Sequence, residues 1–283
     1  MDAQKISDEG QTSSVLTIDN DSLLLKRDDG FYTSGLRFAQ SYSLRVDNEL
    51  TAFGWRIGQD LYTASDIKLP PTRVGPPDHP YAAWLYAGVF KESQNTDGAA
   101  YQMGLDLGCL GPCAGGERTQ TALHRALGQP LPRGWSRQVS NEAGVVMYAD
   151  VVPVRWTLSP TVDVSPALHA RFGNIHTDAS VSVIVRAGQL NTLADQPTMH
   201  GFVRLDGRAV GYNATMQGGY FTDNNVHTMK PKRFVGEIEL GVVWSREHYA
   251  IMASVLRRGN EIADLSNAVG AQNFARLQFS YTP

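Results

Sequence analysis

The chain has 283 residues, with 25 Lys and Arg against 28 Asp and Glu for a formal net charge of −3, and it is 42% hydrophobic and 9% aromatic. That length holds one large domain or two ordinary ones, and the near-neutral balance excludes a polycationic nucleic-acid binder and a disordered acidic chain. The 27 Gly and 14 Pro favour a turn-rich β protein; no apolar run reaches the ~18 residues of a transmembrane helix, a test that strands crossing a bilayer escape because they are half polar.

The chain opens Met-Asp-Ala-Gln, with neither a basic n-region nor an apolar h-region. This suits either a cytosolic protein or a mature form lacking its signal peptide. From about residue 14 the dominant period is two, and about twelve alternating runs follow, near 14–25, 31–46, 49–63, 80–93, 96–110, 142–158, 161–173, 176–190, 199–213, 231–246, 248–258 and 271–282. In the third run Phe53, Trp55 and Ile57 alternate with Gly54, Arg56 and Gly58. After the fifth, Cys109 and Cys113 could form a short-loop bridge in an oxidising compartment. Residues 115–128 break the pattern: helix formers dominate, Gly128 sits at a C-terminal stop, and Glu117, Gln120 and His124 share one stripe beside an apolar stripe of Leu123, Ala126 and Leu127. Alternation then resumes. Val162, Val164, Leu168 and Phe172 alternate with Asp163, Ser165, His169 and Arg171. Phe234, Ile238, Leu240, Val242 and Trp244 oppose Glu237 and Glu239. Leu277, Phe279 and Tyr281 oppose Arg276, Gln278 and Ser280.

Several runs reach 12–16 residues, beyond the ~5–6 of ordinary strands and suited to tilted strands spanning a bilayer. Alternation alone fits a soluble sandwich as well as a barrel. Strand length and the even count favour an all-β, membrane-spanning, antiparallel up-and-down barrel of about 12 strands, one domain over 1–283, with a short helix inserted near 115–128. Its apolar face would meet lipid, and Arg37, Arg56, Glu237, Glu239 and Arg276 would line the lumen. Arg outnumbers Lys 19 to 6, which suits carboxylate and phosphate partners or charge networks in a polar lumen.

The sequence has no Gly-x-Ser-x-Gly elbow, His-Glu-x-x-His, Walker loop or dinucleotide fingerprint. Asp19-Asn20-Asp21 begins like a calcium loop, but Leu23 and Gly30 occupy ligand positions five and twelve, so an EF-hand is excluded. Hard oxygens remain at Asp19, Asn20, Asp21, Asp28 and Asp29; they read as a polar strand start and turn, or as a calcium site using Asn20 and Asp21. His124 is either a solvated helix histidine or a general base with Gln120 one turn earlier. His79, His169, His176, His200, His227 and His248 read as structural.

Seven ordered segments then carry a resemblance. They are Asn20-Asp21; Gly30-Phe31-Tyr32-Thr33-Ser34-Gly35; Gln59-Asp60-Leu61-Tyr62-Thr63; Pro80-Tyr81-Ala82-Ala83-Trp84-Leu85; Leu107 through Glu117 with both cysteines; Gln120-x-x-x-His124; and Gly134-Trp135-Ser136-Arg137-Gln138. Together, over about residues 14–142, the chain resembles the LpxR-type lipid A 3′-O-deacylases, outer-membrane β-barrels of Gram-negative bacteria; the rest matches in strand pattern only. The resemblance implies a twelve-stranded barrel with its active site between barrel wall and lumen near the outer leaflet, where Ca²⁺ and a histidine-activated water hydrolyse an acyl ester. It carries over Asn20, Asp21, Thr33, Gln120 and His124 as catalytic residues, with Asp21 and Asn20 as metal ligands. Thr33 is expected to face inward in register with Arg37.

Two positions depart from the pattern. Where some members place a glutamate that buttresses the histidine, this chain has Pro130, leaving Glu117, Glu142 and Asp78 as open candidates. Where members carry a basic pair, this chain has Lys68 followed by Leu69, with Arg73 as the alternative substrate-binding cation. The expected function is thus a calcium-dependent carboxylic ester hydrolase that removes the 3′ acyloxyacyl chain from lipid A. The expected state is a monomer in the outer membrane, as a mature chain without its signal peptide, with lipopolysaccharide as substrate and no nucleic-acid partner. The rival readings are a non-catalytic barrel or channel and a soluble all-β binding protein.

Overall fold

The computed structural model of the protein describes residues 3–24 and 30–283, so Asp28 and Asp29, named above as candidate oxygen ligands, lie outside the described residues. A helix α1 (Ala3–Glu9) precedes the strands β1 (Gln11–Asn20), β2 (Phe31–Val46), β3 (Glu49–Thr63), β4 (Ala82–Asn95) and β5 (Ala100–Leu110). Helix α2 (Gly116–Leu127) leads to β6 (Glu142–Val152), β7 (Trp156–Ser159), β8 (Val162–Gly173), β9 (His176–Gln189) and β10 (Thr198–Asn213). A short α3 (Ala214–Gln217), β11 (Phe234–Arg246), β12 (Tyr249–Arg258), α4 (Asn267–Gly270) and β13 (Gln272–Tyr281) complete the chain.

Strands consecutive in the chain pair antiparallel except β6 and β7, β1 pairs with β13, and β6 pairs with β8. The sheet therefore closes as a twelve-stranded barrel, with β7 an extra hairpin strand on β8. The sequence expectation of one strand over 142–158 is corrected here. Pro153 follows Val152, has no N–H for a ladder and restricts the residue before it, so β6 ends there.

One end of the barrel has tight turns: Asp47 in the β2–β3 hairpin and Glu247 in the β11–β12 hairpin adopt positive φ of 52° and 51°. The connections at the other end include 64–81, 111–141, 214–233 and 259–271, and short turns at one end with long loops at the other are the habit of outer-membrane barrels. β1 begins and β13 ends at the tight-turn end.

The alternation resolves in the barrel sense, which overturns the soluble-sandwich reading. Leu36, Ile57, Val89, Leu107, Phe172 and Leu240 are exposed on the outer face, while Asp19, Asp106, Asp163 and Glu239 are buried on the lumen side. There the charges pair. Arg276 Nε donates to Asp19 at 2.7 Å, and Arg37 donates to the same carboxylate. Arg204 lies 2.9 Å from Glu239 and 3.1 Å from Glu237, which Arg258 also reaches at 2.7 Å. Arg56 forks onto Asp106 at 2.9 and 2.6 Å. Asp19 is thus committed to the lumen network and drops out as an oxygen ligand.

Leu240→Arg puts a charge on the outer face, and near the bilayer midplane it should cost about 2–4 kcal/mol. Equilibrium refolding into lipid vesicles measures this, and a variant as stable as the parent would invert the assignment of faces.

Candidate active site

The site residues converge on the long-loop end from three connections. β1 ends at Asn20, whose Oδ1 accepts from the Ser22 amide at 2.8 Å and from the Ser22 hydroxyl, a side-chain turn that redirects the chain. Asp21 is 6% exposed, and its Oδ2 accepts from the Gly30 amide at 3.1 Å. Gly30 passes so close to the β3–β4 connection that a Cβ there would sit 3.2 Å from the Ser65 backbone.

Thr33 does not share the inward register of Arg37. Tyr32 pairs with Tyr62 and Ser34 with Leu61, so Thr33 is the extra residue of a β-bulge. Its hydroxyl meets that of Thr63 at 2.7 Å. Tyr32 takes the lumen side and donates to Asp19 and Asp60 at 3.0 and 3.2 Å. Thr63 alternates with Tyr62 and so shares the outer face with Leu61.

Helix α2 covers that outer face. Gln59 Nε2 donates to the Ala114 carbonyl at 2.7 Å, and the Gly111 amide donates to Ala83 O at 2.9 Å. A disulfide joins Cys109, at the end of β5, to Cys113, just before α2, and the Cys113 amide donates to Asn141 Oδ1 at 2.8 Å. Gly116 is required by the close approach: a Cβ there would lie 2.5 Å from Ala83 Cβ and 2.6 Å from the Trp135 ring. The helix stops at Gly128, left-handed at φ 65°, with the Gln129 amide bonded to His124 O at 2.8 Å.

The orientation of α2 is the reverse of an ordinary surface helix. Gln120 and His124 are buried against the wall, whereas Leu123 and Leu127 are 42% and 59% exposed. The apolar stripe thus faces outward, where the barrel's own apolar band lies, and the polar stripe is enclosed. Two expectations change accordingly. The site lies between the wall's outer face and α2 and not between wall and lumen, and Glu117 points to solvent outside the buried stripe.

His124 Nδ1 lies 2.6 Å from the carbonyl oxygen of Pro130. A carbonyl can only accept, so Nδ1 carries the proton of the neutral ring and Nε2 keeps its lone pair. The buttress expected from Glu117, Glu142 or Asp78 is a main-chain carbonyl instead. Glu142 is engaged by the Phe221 amide, the Thr222 hydroxyl and Asn174; Asp78 is engaged by Ser65 and the His79 amide.

Lys68 and Arg73 are exposed on the β3–β4 loop, and Leu69 packs on the cluster of Leu61, Tyr81, Ala83 and Trp135. The Arg133 amide donates to Ile67 O at 2.9 Å, tying that loop to the segment that follows α2. Four of the other histidines are held by partners of their own. His79 bonds Pro80 O at 2.6 Å and stacks on Tyr62, His169 pairs with Asp150, His200 bonds Thr198, and His248 bonds Thr282 O. Burial pushes His79 and His227, both in rim loops, below the usual histidine range, which favours their neutral forms.

The donors around Asn20 and Asp21 are a carboxylate, an amide oxygen and the Ser22 hydroxyl. This hard oxygen set fits calcium and not zinc, which takes nitrogen and sulfur. No group of three or more His, Cys, Asp or Glu poised for a metal occurs among the described residues.

Sequence reasoning gave Trp135 no role. It is 2% exposed, its Nε1 donates to Gln120 Oε1 at 2.9 Å, and its ring packs edge-on to Tyr81. The available signal was Gly134-Trp135, a small residue before a large one in a polar loop.

A family model described as outer membrane protein LpxR matches residues 1–282. Among solved structures, LpxR from Salmonella typhimurium superposes with a TM-score of 0.77 at 21% identity, covering 95% of this chain and 99% of that one. The β domain of the Bordetella autotransporter Brka gives a TM-score of 0.51 at 10% identity, with 96% and 98% covered. No curated protein matches the chain.

The tautomer assigned to His124 is directly measurable. Nitrogen NMR of histidine-labelled protein at a pH where the ring is neutral should place the proton on Nδ1, and Pro130→Ala, which keeps the carbonyl, should leave it there. A ring protonated on Nε2 would remove the Pro130 contact from the site.

Proposed function

The chain belongs to the LpxR family of outer-membrane proteins, and from that membership we propose that it is a lipid A deacylase that hydrolyses the ester of the 3′ acyloxyacyl chain with a water activated by His124. The observation that carries this reading is the buried imidazole under α2, its Nδ1 2.6 Å from Pro130 O.

His124 Nε2 takes a proton from water as the water oxygen attacks the acyl carbonyl, and returns it to the departing sugar oxygen as the ester C–O bond breaks. The products are a free fatty acid and a sugar hydroxyl, and no protein nucleophile is needed. Gln120, one turn from His124, and Thr33, fixed by its bulge, position the reacting groups. Asp21 and Asn20 would hold a calcium ion, which when bound polarises the carbonyl and stabilises the charge developing on its oxygen. Lys68 and Arg73, exposed on the adjacent loop, suit the phosphates of a lipid A headgroup. The outward stripe of Leu123 and Leu127 suits a helix lying at the level of the acyl chains.

Mass spectrometry of lipid A from cells with and without the protein tests the reading. Loss of a 3′ acyloxyacyl unit is expected, and unchanged lipid A would overturn it. His124→Asn should lower the rate by about two to four orders of magnitude, and parent activity should rise with pH as the imidazolium gives up its proton. Asp21→Ala should abolish hydrolysis in a folded barrel. Calcium should restore the chelator-treated parent, and magnesium only poorly, since it demands a stricter octahedron. Full activity in chelator would remove the metal from the mechanism.

A further inference from the structure

The amide of Gln120 can be oriented without ambiguity. An indole N–H donates and has no lone pair to accept with, so the Gln120 atom that faces Trp135 Nε1 at 2.9 Å must be Oε1. Nε2 therefore points away from Trp135. Gln120 is 1% exposed, and Nε2 is buried with no hydrogen-bond partner among the described residues. Folded proteins rarely leave such a donor unmatched, and where they do a catalytic role, a water or an ion accounts for it.

Trp135 cannot swing to release this arrangement. A Cβ on Gly134 would fall 2.2 Å from the Tyr81 ring, and one on Gly116 would fall 2.6 Å from the Trp135 ring, so the indole is wedged between wall and helix. Tyr81 meets it edge-on at 5.1 Å, and the Val139 amide bonded to Tyr81 O at 2.8 Å fixes the backbone beyond it. Four residues on from Gln120, His124 lies on the same buried face of α2.

We infer that Trp135 is a positioning residue that pins the Gln120 amide so that Nε2 donates to the carbonyl oxygen of the ester under attack. The inference rests on the ester-hydrolase reading above. An amide NH₂ can donate and cannot take a proton, and in ester hydrolysis the atom that gains negative charge is the carbonyl oxygen. A donor held in place before the reaction stabilises that charge without reorganising. Trp135 touches no reacting atom; its effect passes through Gln120, which without it could turn its oxygen toward the oxyanion.

The test is a double-mutant cycle on the full-length protein in detergent micelles, with purified lipopolysaccharide as substrate. Gln120→Ala should lower kcat by about 10²- to 10³-fold with KM little changed. Trp135→Phe keeps an aromatic side chain, though a smaller one, and removes the N–H, and should lower kcat by about 10- to 10²-fold, as expected for a misplaced group. The double variant should match Gln120→Ala alone, because the indole has nothing left to orient. Losses that multiply in the double variant, or a Trp135→Phe enzyme at the parental rate, overturn the inference.

A second readout does not depend on turnover. In protein labelled with ¹⁵N-tryptophan, one of the five indole Nε1–H resonances should shift upfield in Gln120→Leu. No shift would overturn the hydrogen bond, and this measurement decides the matter if Trp135→Phe fails to fold. A folded parent that hydrolyses no ester sinks the ester-hydrolase reading and the inference with it. An active parent whose losses multiply sinks the inference alone.

Discussion

In hydrocarbon no water is present to satisfy a backbone amide, and each unpaired group costs several kcal/mol. The rest of this structure follows from that constraint. It forces the strands to close on themselves, and the β1–β13 and β6–β8 pairings complete the circle. Closure divides every strand into a lipid face and a lumen face. The charges have only one side to go to, and Asp19, Arg37, Arg276, Glu239, Arg204, Glu237 and Arg258 form a continuous series of ion pairs there. Each pair joins neighbouring or next-neighbour strands, so the same contacts that satisfy buried charge also stiffen the wall on which the site is mounted.

The constraint also shapes the site. Polar groups on the outer face of such a wall would meet lipid unless something covered them. Helix α2 is the cover. Its hydrophilic residues Gln120 and His124 turn inward and its leucines outward, an arrangement that would be unstable in water and is natural at a membrane. The cover must also be held closely enough to exclude solvent. Gly116 lets the helix touch Ala83, the Cys109–Cys113 bridge fixes its entry, and Trp135 fills the space beneath.

The fold was legible because period-two alternation is a direct consequence of having two different solvents on two faces. The runs 31–46 and 49–63 coincide with β2 and β3 to the residue, and α2 came within one residue at each end. Pro153 was visible in the sequence, yet the apolar residues on both sides of it carried the alternation across the break. The candidate site was named from residue identity at Asn20, Asp21, Gln120 and His124, of which Gln120 and His124 are buried on one face of α2. It was not legible where register or main chain decides. Thr33 has the parity of Arg37, and only a one-residue bulge turns it to Thr63. Sequence spacing placed Glu117 on the His124 stripe, but only Gly116, Gln120 and His124 of α2 are buried and Glu117 is exposed.

Pro130 carries the argument furthest. A glutamate at that position would hold the imidazole with a side-chain anion, so the chain read letter by letter looks deficient there. The carbonyl of residue 130 reaches Nδ1 regardless of the side chain attached, provided the backbone after α2 takes this path. That path is set elsewhere: Gly128 ends the helix in a left-handed turn, Arg133 ties the segment to Ile67, and Trp135 anchors it beneath the helix. A neutral carbonyl and an anion differ in consequence as well as in origin. Both select the same tautomer and both accept from the ring, but only the anion adds a charge beside it. Holding the ring by main chain therefore fixes its orientation without placing a charge next to it. The requirement on residue 130 then passes from side-chain chemistry to loop geometry, and a proline, with its fixed φ, answers that requirement well.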